Sequence, residues 1–244
     1  LISLSNLGDT QMRHAKSGQW WENEGQRALA NNSVSYKFKP DMDTFMREWL
    51  ALYESKSGER GIFNRQAAKK QASLNGRRDA EQEFGCNPCS EIILRPYQFC
   101  NLSEVVVRSS DTQQSLTEKV RLATILGTFQ STLTDFKYLR NVWKKNTMEE
   151  RLLGVSLTGI MDNAMMSGKS AHLGMNIGAT LNALKEQAIT TNAAMAEQLG
   201  ISQSAAITCV KPSGTVSQLV DSASGIHARH NPYYIRTVRG EPFL

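Results

Sequence analysis

The strongest constraint on this chain is its rhythm: short runs of branched apolar residues alternate with much longer stretches that carry helix periodicity. Ile92-Ile93-Leu94, Val105-Val106-Val107 and Ala205 to Val210 read as short buried strands. Leu116 to Tyr138 predicts a long helix with a stripe through Val120, Ala123, Leu126, Phe129 and Leu133. Met148 to Met166 predicts a second helix, softened by Gly154 and Gly159, and Leu181 to Leu199 a third, stopped at Gly200. Short strands set between helices imply an α/β architecture with parallel pairing. Upstream, residues 8–16 read as a short helix or turn, Trp20-Trp21 as part of a polar loop, and Ser33 to Phe38 as a strand ended by Pro40. Asp41 to Ser55 predicts a helix capped by Asp41 or Asp43, with Phe45, Trp49 and Leu52 as its apolar stripe. Gly58 and Gly61 close that unit, and Arg65 to Leu74 reads as a basic helix.

Composition narrows the class. With 244 residues, 40% of them hydrophobic and 21% charged, the chain has the apolar mass of one large domain or two small ones. A disordered tail would be poorer in apolar residues. The net charge of +5 suits an anionic ligand such as a nucleotide. Basic residues are scattered, and the densest runs, Lys69-Lys70 and Arg77-Arg78, read as solvated surface, so no nucleic acid is expected as partner. No run approaches the roughly 18 apolar residues of a membrane span, no signal peptide is visible, and a cytoplasmic setting is the expectation. There is no internal repeat or low-complexity linker. The opening Leu1-Ile2-Ser3-Leu4-Ser5 and the closing Gly240-Glu241-Pro242-Phe243-Leu244 read as cuts through a longer protein.

Chemistry concentrates around the cysteines. Cys86, Cys89 and Cys100 crowd one segment and Cys209 stands apart, a spacing unlike a secreted disulfide framework. In an extended segment, residues i−2, i and i+2 point to one side, so Asn87, Cys89 and Glu91 could face one substrate together. Glu91 can move protons and Asn87 can hold a hydroxyl. A hairpin across the intervening residues would bring Cys89 towards Cys100. Other readings stay open on the residues alone. Cys86 and Cys89 form a C-x-x-C that could be half of a zinc site, although the second half is missing. They could be a thioredoxin-type redox pair, although the following Ile92-Ile93-Leu94 reads as strand rather than helix. Any of the four could be a buried structural cysteine.

Asn87-Pro88-Cys89-Ser90-Glu91-Ile92, followed by Phe99-Cys100-Asn101-Leu102-Ser103-Glu104-Val105, resembles the finger-loop region of ribonucleotide reductases, most of all the adenosylcobalamin-dependent class II enzymes. Arg27 to Ser33, Gly58 to Asn64, Arg151 to Val155, Lys211 to Thr215 and Gly225-Ile226-His227 are similar to further segments of that family in the same order. In effect the whole chain is covered. The resemblance implies part of the ten-stranded α/β barrel of the ribonucleotide reductase and glycyl-radical type, with a finger loop at about 85–104 pushed through its centre. It implies that Cys89 becomes the thiyl radical removing the ribose 3′-hydrogen, that Glu91 acts as base on the 3′-hydroxyl, and that Asn87 hydrogen-bonds the substrate. Cys100 would be one of two thiols that reduce the 2′ position and then form a disulfide, its partner lying upstream of Leu1. Cys86 is outside the family's pattern and receives no catalytic role.

Lys211-Pro212-Ser213-Gly214-Thr215-Val216-Ser217 puts a glycine turn before a helix. Such a turn is an anion site or an ordinary capped helix start, and it is not a P-loop, since G-x-x-x-x-G-K-[ST] is absent. The resemblance implies that Ser213, Gly214 and Thr215 hold the substrate's phosphates. His227 and His230 could pair on a metal only with His14 or His172; no metal site is expected, and they read as surface or substrate-rim residues. The resemblance further implies a ribonucleotide substrate, adenosylcobalamin as cofactor, thioredoxin or a glutaredoxin-like dithiol as reductant, nucleotide effectors, and compatibility with a homodimer. The D-x-H-x-x-G motif of some cobalamin proteins is absent, which does not count against the resemblance to class II reductases. Two alternatives stand against class II: a class I catalytic subunit served by a separate radical-generating subunit, and a non-catalytic zinc-binding or interaction domain.

Overall fold

The computed structural model describes residues 2–74, 76–169 and 176–235. His172, Leu1 and the closing 240–244 segment therefore lie outside the described residues. The first third builds a parallel three-stranded sheet in the order β1 (Ile2–Ser5), β2 (Asn31–Tyr36), β3 (Gly61–Asn64). The central strand is buried from Asn32 to Tyr36. Between β1 and β2 run two single-turn helices, α1 (Thr10–Arg13) and α2 (Trp20–Asn23). Trp20 and Trp21 thus begin a short helix where the sequence suggested a polar loop. β3 was hidden in the sequence because Gly61-Ile62-Phe63-Asn64 is short and opens on the glycine read as a terminator.

Helix α3 (Met42–Ser55) starts where expected, with the Asp41 side chain accepting from Thr44 N at 2.9 Å. Its buried face differs from the expected stripe: Glu48 and Ala51 are buried, whereas Trp49 is 51% exposed. The reason is polar. Glu48 accepts from Arg60 Nε at 3.0 Å and Nη2 at 2.8 Å, and Arg13 Nε also reaches it. Arg60 extends onward to Ser5 Oγ and to the carbonyls of Asn6, Leu7 and Asp9. One buried guanidinium therefore knots α3, the start of β3 and the β1–α1 turn. Helix α4 (Arg65–Ser73), capped by Asn64, then packs Ala68 and Ala72 on Phe84.

The hairpin β4 (Gly85–Cys86) and β5 (Ile93–Leu94) follows. After it, β6 (Asn101–Val106) pairs in parallel with β7 (Leu153–Thr158), from Asn101↔Leu153 to Val106↔Thr158. Residues 205–209 join the far edge of β7 through Leu153 N→Ala206 O, Val155 N→Ile207 O and Cys209 N→Val155 O. Helices α5 (Gln113–Gln130) and α7 (Ile177–Leu199) cover one face, and Val105, Val107, Leu153 and Val155 pack there against Leu116, Val120, Leu184 and Ala188. Each fully buried Leu or Val of this kind contributes roughly 1.5–3 kcal/mol. Among the described residues the other α-helices are α6 (Asn141–Glu150) and the short α8 (Thr215–Leu219).

Two expected helices are corrected. Residues 148–166 are not a helix: α6 ends at Glu150, Arg151 takes a left-handed φ of 42°, and Leu153-Gly154-Val155-Ser156-Leu157-Thr158 forms β7. Its alternation of apolar and small residues has the period of a strand, and Gly154 is needed there. A Cβ at Gly154 would sit 2.4 Å from Leu102 Cδ2 and 3.0 Å from Cys209 Sγ. Helix α5 stops at Gln130, not Tyr138, and buries Thr124, Gly127 and Thr128 rather than Leu126, Phe129 and Leu133, which are exposed. Small residues let α5 approach α7, and their hydroxyls are satisfied internally: Thr124 Oγ1 donates to Val120 O at 2.7 Å and Asn192 Nδ2 donates to Thr128 Oγ1 at 2.9 Å.

Removing Glu48 leaves Arg60 buried and uncompensated. Glu48→Ala is expected to lower stability by about 3–5 kcal/mol, read as an earlier urea midpoint. Asp43→Ala, which breaks the exposed Asp43–Arg47 pair, is expected to leave the midpoint within experimental error.

Candidate active site

The hairpin loop is built by a tight turn. Asn87 N donates to Ile92 O at 3.3 Å, Ser90 N donates to Asn87 O at 2.9 Å, and Asn87 Oδ1 accepts from Ile92 N at 3.0 Å. Ser90 takes a left-handed φ of 64°. The loop is therefore not extended, and the expected alternation does not hold. Cys89 lies exposed at the tip, while the Glu91 side chain turns inward and is only 1% exposed. Asn87 Oδ1 is committed to the turn, which leaves Nδ2 as the group able to donate to a ligand.

Glu91 is the electrostatic centre. Neither carboxylate oxygen has a hydrogen-bond partner. Its ionic neighbour is Lys211, with Nζ 3.7 Å from Oε1. Three thiols feel its charge. Burial first, and then the Glu91 carboxylate, push the Cys100 thiol up. Burial likewise raises Cys86, opposed by a hydrogen bond to Ser90 and reinforced by Glu91. Cys209 is pushed up to about 12 by burial, then by Glu91 and Cys100. Cys100 and Cys209 pack in one apolar cluster with Ile92, Leu102 and Leu152. The fold thus gathers Glu91, Cys100, Cys209 and Lys211, and leaves Cys89 on the outer side of the same hairpin.

The Lys211–Thr215 turn follows directly from the edge segment 205–209. Ser213 is buried, and its Oγ has no partner. Its carbonyl accepts from Ser217 Oγ at 3.0 Å and from Ser224 Oγ. Gly214 and Thr215 are exposed at the start of α8. Gly225 rests against this turn: a Cβ there would meet Lys211 O at 3.2 Å, and its φ is +56°. Segment 221–229 is strapped to the end of β7. Gly225 N donates to Thr158 Oγ1 at 2.8 Å, and Gly159 N donates to Ala223 O at 2.8 Å. Arg229 forks onto Asp162 at 2.9 and 3.0 Å and reaches Asp221 at 2.8 Å. Burial alone would raise the Asp162 carboxyl, but hydrogen bonds from Arg229 and Ala223 N outweigh it and hold the group below its ordinary value. His227 and His230 are exposed. Among the described residues no group of three or more His, Cys, Asp or Glu side chains is placed to hold a metal, and no helix is long and apolar enough to cross a membrane.

Lys211 and Cys209 were not among the residues expected to form the site. Lys211 stood inside the Lys-Pro-Ser-Gly-Thr motif, so a signal existed. Cys209 carried none, because only the pairing of segment 205–209 with β7 brings it over Gly154.

No protein-family model matches the chain. The adenosylcobalamin-dependent ribonucleoside-triphosphate reductase of Lacticaseibacillus paracasei is 29% identical over 241 residues, covering 87% of this chain and 31% of that protein. The protein of the same name from Lactobacillus acidophilus is 31% identical over 176 residues, covering 64% and 23%. Among solved structures, a B-12 dependent (class II) ribonucleotide reductase superposes with a TM-score of 0.68 at 23% identity, over 93% of this chain and 34% of the other. The Actinobacillus ureae class Id ribonucleotide reductase alpha subunit gives 0.58 at 12% identity, over 92% and 48%. The fold is that of ribonucleotide reductase catalytic subunits. The chain spans about a third of the length of the L. paracasei protein.

The geometry fixes an order of thiol reactivity. Iodoacetamide near pH 8 is expected to label exposed Cys89 first and Cys209 slower by at least about tenfold, since the thiolate is the nucleophile. Labelling of Cys209 should accelerate as pH rises towards its thiol value of about 12. Equal rates in the folded protein, followed by peptide mass spectrometry, would contradict this arrangement.

Proposed function

From the chain's kinship with the adenosylcobalamin-dependent ribonucleotide reductases we infer that it is the part of such an enzyme that carries the radical cysteine, reducing ribonucleotides to 2′-deoxyribonucleotides for DNA synthesis. One observation carries the reading. Glu91 is buried with both oxygens unpartnered, beside a lysine and between thiols. A buried carboxylate left without hydrogen bonds is costly, so it is held for a ligand. A hydroxyl-bearing ligand approaching the hairpin would meet Glu91 as the acceptor of its proton.

In this reading Cys89, as a thiyl radical, takes the 3′-hydrogen of the ribose, and Glu91 accepts the 3′-hydroxyl proton. Asn87 Nδ2 holds a substrate hydroxyl. Cys100 and a thiol from outside this chain deliver two electrons to the 2′ position, water leaves, and the pair closes as a disulfide. Thioredoxin or a glutaredoxin-like dithiol then reopens it. Ser213, Gly214 and Thr215 take the phosphates, supported by the buried and unpartnered Ser213 hydroxyl, with Lys211 adding positive charge at the same turn. The ten-stranded barrel, of which residues 1–244 would form the central to C-terminal part, is completed by chain outside this sequence. Nucleotide effectors, a homodimer and a cytoplasmic setting belong to the same proposal.

Adenosylcobalamin brings its own metal, so it asks of this chain a reachable thiol rather than metal ligands. Exposed Cys89 fits that requirement and is the residue that would face it. When bound, the cofactor supplies the initiating radical. The relatives' shared name supports class II over a class I subunit, and the grouping of thiols around an unpartnered buried carboxylate supports an enzyme over a zinc-binding module.

The test uses the intact enzyme, assayed for deoxynucleotide formation from CDP and CTP with a dithiol, with and without adenosylcobalamin. Product only with the cofactor is expected, and the preferred substrate identifies the phosphate class. Folded protein that turns over only with a second subunit would replace the reading by class I. Cys89→Ser is expected to cut turnover by on the order of a thousandfold or more while substrate still binds. Cys100→Ala is expected to spare the first turnover and stop multiple turnovers with thioredoxin. Normal steady-state rates in either variant would overturn the assigned roles.

A further inference from the structure

Cys86 is left over by the proposed chemistry, yet it lies at the root of the same turn as Cys89. It is buried on β4, and its Sγ is 3.5 Å from the Oγ of Ser90, the residue after Cys89. Its side chain therefore reaches under the turn closed by Ser90 N→Asn87 O. Both thiols are free, one buried and one exposed. Cys100, by contrast, is held in the apolar cluster with Leu102 and Cys209 on the sheet side.

We propose that Cys86 is a resolving thiol for Cys89, and that a hydroperoxide converts the pair into a reversible disulfide that takes Cys89 out of service without destroying it. Two thiols on one tight turn, with Cys89 at its tip and Cys86 at its root against Ser90, match the pairing of an oxidised and a resolving cysteine. In the first step Cys89 sulfur attacks a peroxide oxygen, the O–O bond breaks, water or an alcohol leaves, and Cys89 becomes a sulfenic acid. In the second, Cys86 sulfur attacks Cys89 sulfur, the S–O bond breaks, and a second water leaves with the Cys86 proton. In sum two thiols lose two electrons and two protons to one peroxide. An external dithiol reverses the change by two exchange steps and is itself oxidised. A bridge needs the two Cα atoms at about 4.4–6.8 Å, and the two cysteines stand three positions apart across one turn. The consequence for activity rests on Cys89 being the radical thiol; formation of the bridge does not.

The experiment exposes the full-length protein to hydrogen peroxide, alkylates with iodoacetamide and cleaves after glutamate. Cuts at Glu83 and Glu91 release Phe84 to Glu91, a peptide that contains Cys86 and Cys89 and no other cysteine. The expected peptide is lighter by two hydrogens, unalkylated, and converted to the doubly alkylated form after dithiothreitol. In Cys86→Ser, which should keep its basal turnover, peroxide should drive Cys89 to the sulfinic acid, which dithiothreitol does not reverse. Activity in the parent protein should fall and return with the bridge, and in the variant fall for good. Wild-type peptide with Cys89 over-oxidised and Cys86 still alkylated, or Cys89 linked to Cys100, would overturn the proposal, as would a bridge that forms without loss of turnover. The mass readout needs no turnover, so it fails or succeeds independently of the reductase reading.

Discussion

The buried Arg78–Glu150 pair is the constraint on which the placement of the reactive hairpin depends. Both side chains are almost fully enclosed, and Arg78 Nη2 donates to Glu150 Oε2 at 2.9 Å and to Ile93 O at 3.0 Å. Gln98 Nε2 donates to the same carboxylate at 2.6 Å. Glu150 is the last residue of α6, three residues before β7 begins at Leu153. One carboxylate therefore ties β5, the loop leading to β6, and the entry to β7. Burying two charges gains little net stability against hydrophobic replacements, but a misplaced hairpin would strand a charge in the interior. The pair thus acts on position more than on stability, and position is what the thiols need.

The site inherits that positioning. With β5 fixed by Arg78, the Ile92 and Leu94 side chains pack towards Leu152 and Leu102, and Glu91 is carried inward beside them. Gly154 leaves room for Leu102 and Cys209 to meet over the strand. On the far edge, Asn192 of α7 accepts from Ser204 N at 2.9 Å and reaches Ser204 Oγ at 3.1 Å. That bond sets where segment 205–209 begins and hence where Lys211 ends. The Glu91–Lys211 approach is the meeting of two chains of packing, one through α6 and one through α7, rather than a local pairing of neighbours in sequence.

Much of this was legible and some was not, for physical reasons. Asp41 and Gly200 mark helix ends by local chemistry, and the structure has helix termini there. The cysteine segment was legible because residue types at fixed spacing carry it. The α5 face was misread because burial there selects small hydroxyl residues for a close helix contact, not the largest apolar ones. Residues 153–158 were misread because a glycine inside an apolar run looks like a weakened helix, and its reason lies in distant partners, Leu102 and Cys209, that crowd the space a Cβ would need. The buried face of α3 was hidden for a similar reason: Glu48 counts as polar until Arg60 is seen beside it. Long-range partners, not local propensity, decide all three.

The turn at Ser90 resolves what an extended loop could not. If residues 87–91 alternated as a strand, Cys89 and Glu91 would share one side and one environment. A buried carboxylate there would push the thiol up, as Glu91 does for Cys86, Cys100 and Cys209. The left-handed Ser90 instead rotates Glu91 inward while Cys89 stays exposed at the tip. The exposed thiol at the tip is thereby set apart from the sheet side, where Cys100 and Cys209 pack. In the proposed reading, a substrate seated over the tip would meet Cys89 there and Glu91 on the inner side of the turn. In that reading hydrogen removal and proton removal would fall at two ends of one bond sequence, C3′–H and O3′–H, on opposite sides of the turn. The backbone conformation of one serine is thus as much a part of the site as the cysteine and the glutamate it keeps apart.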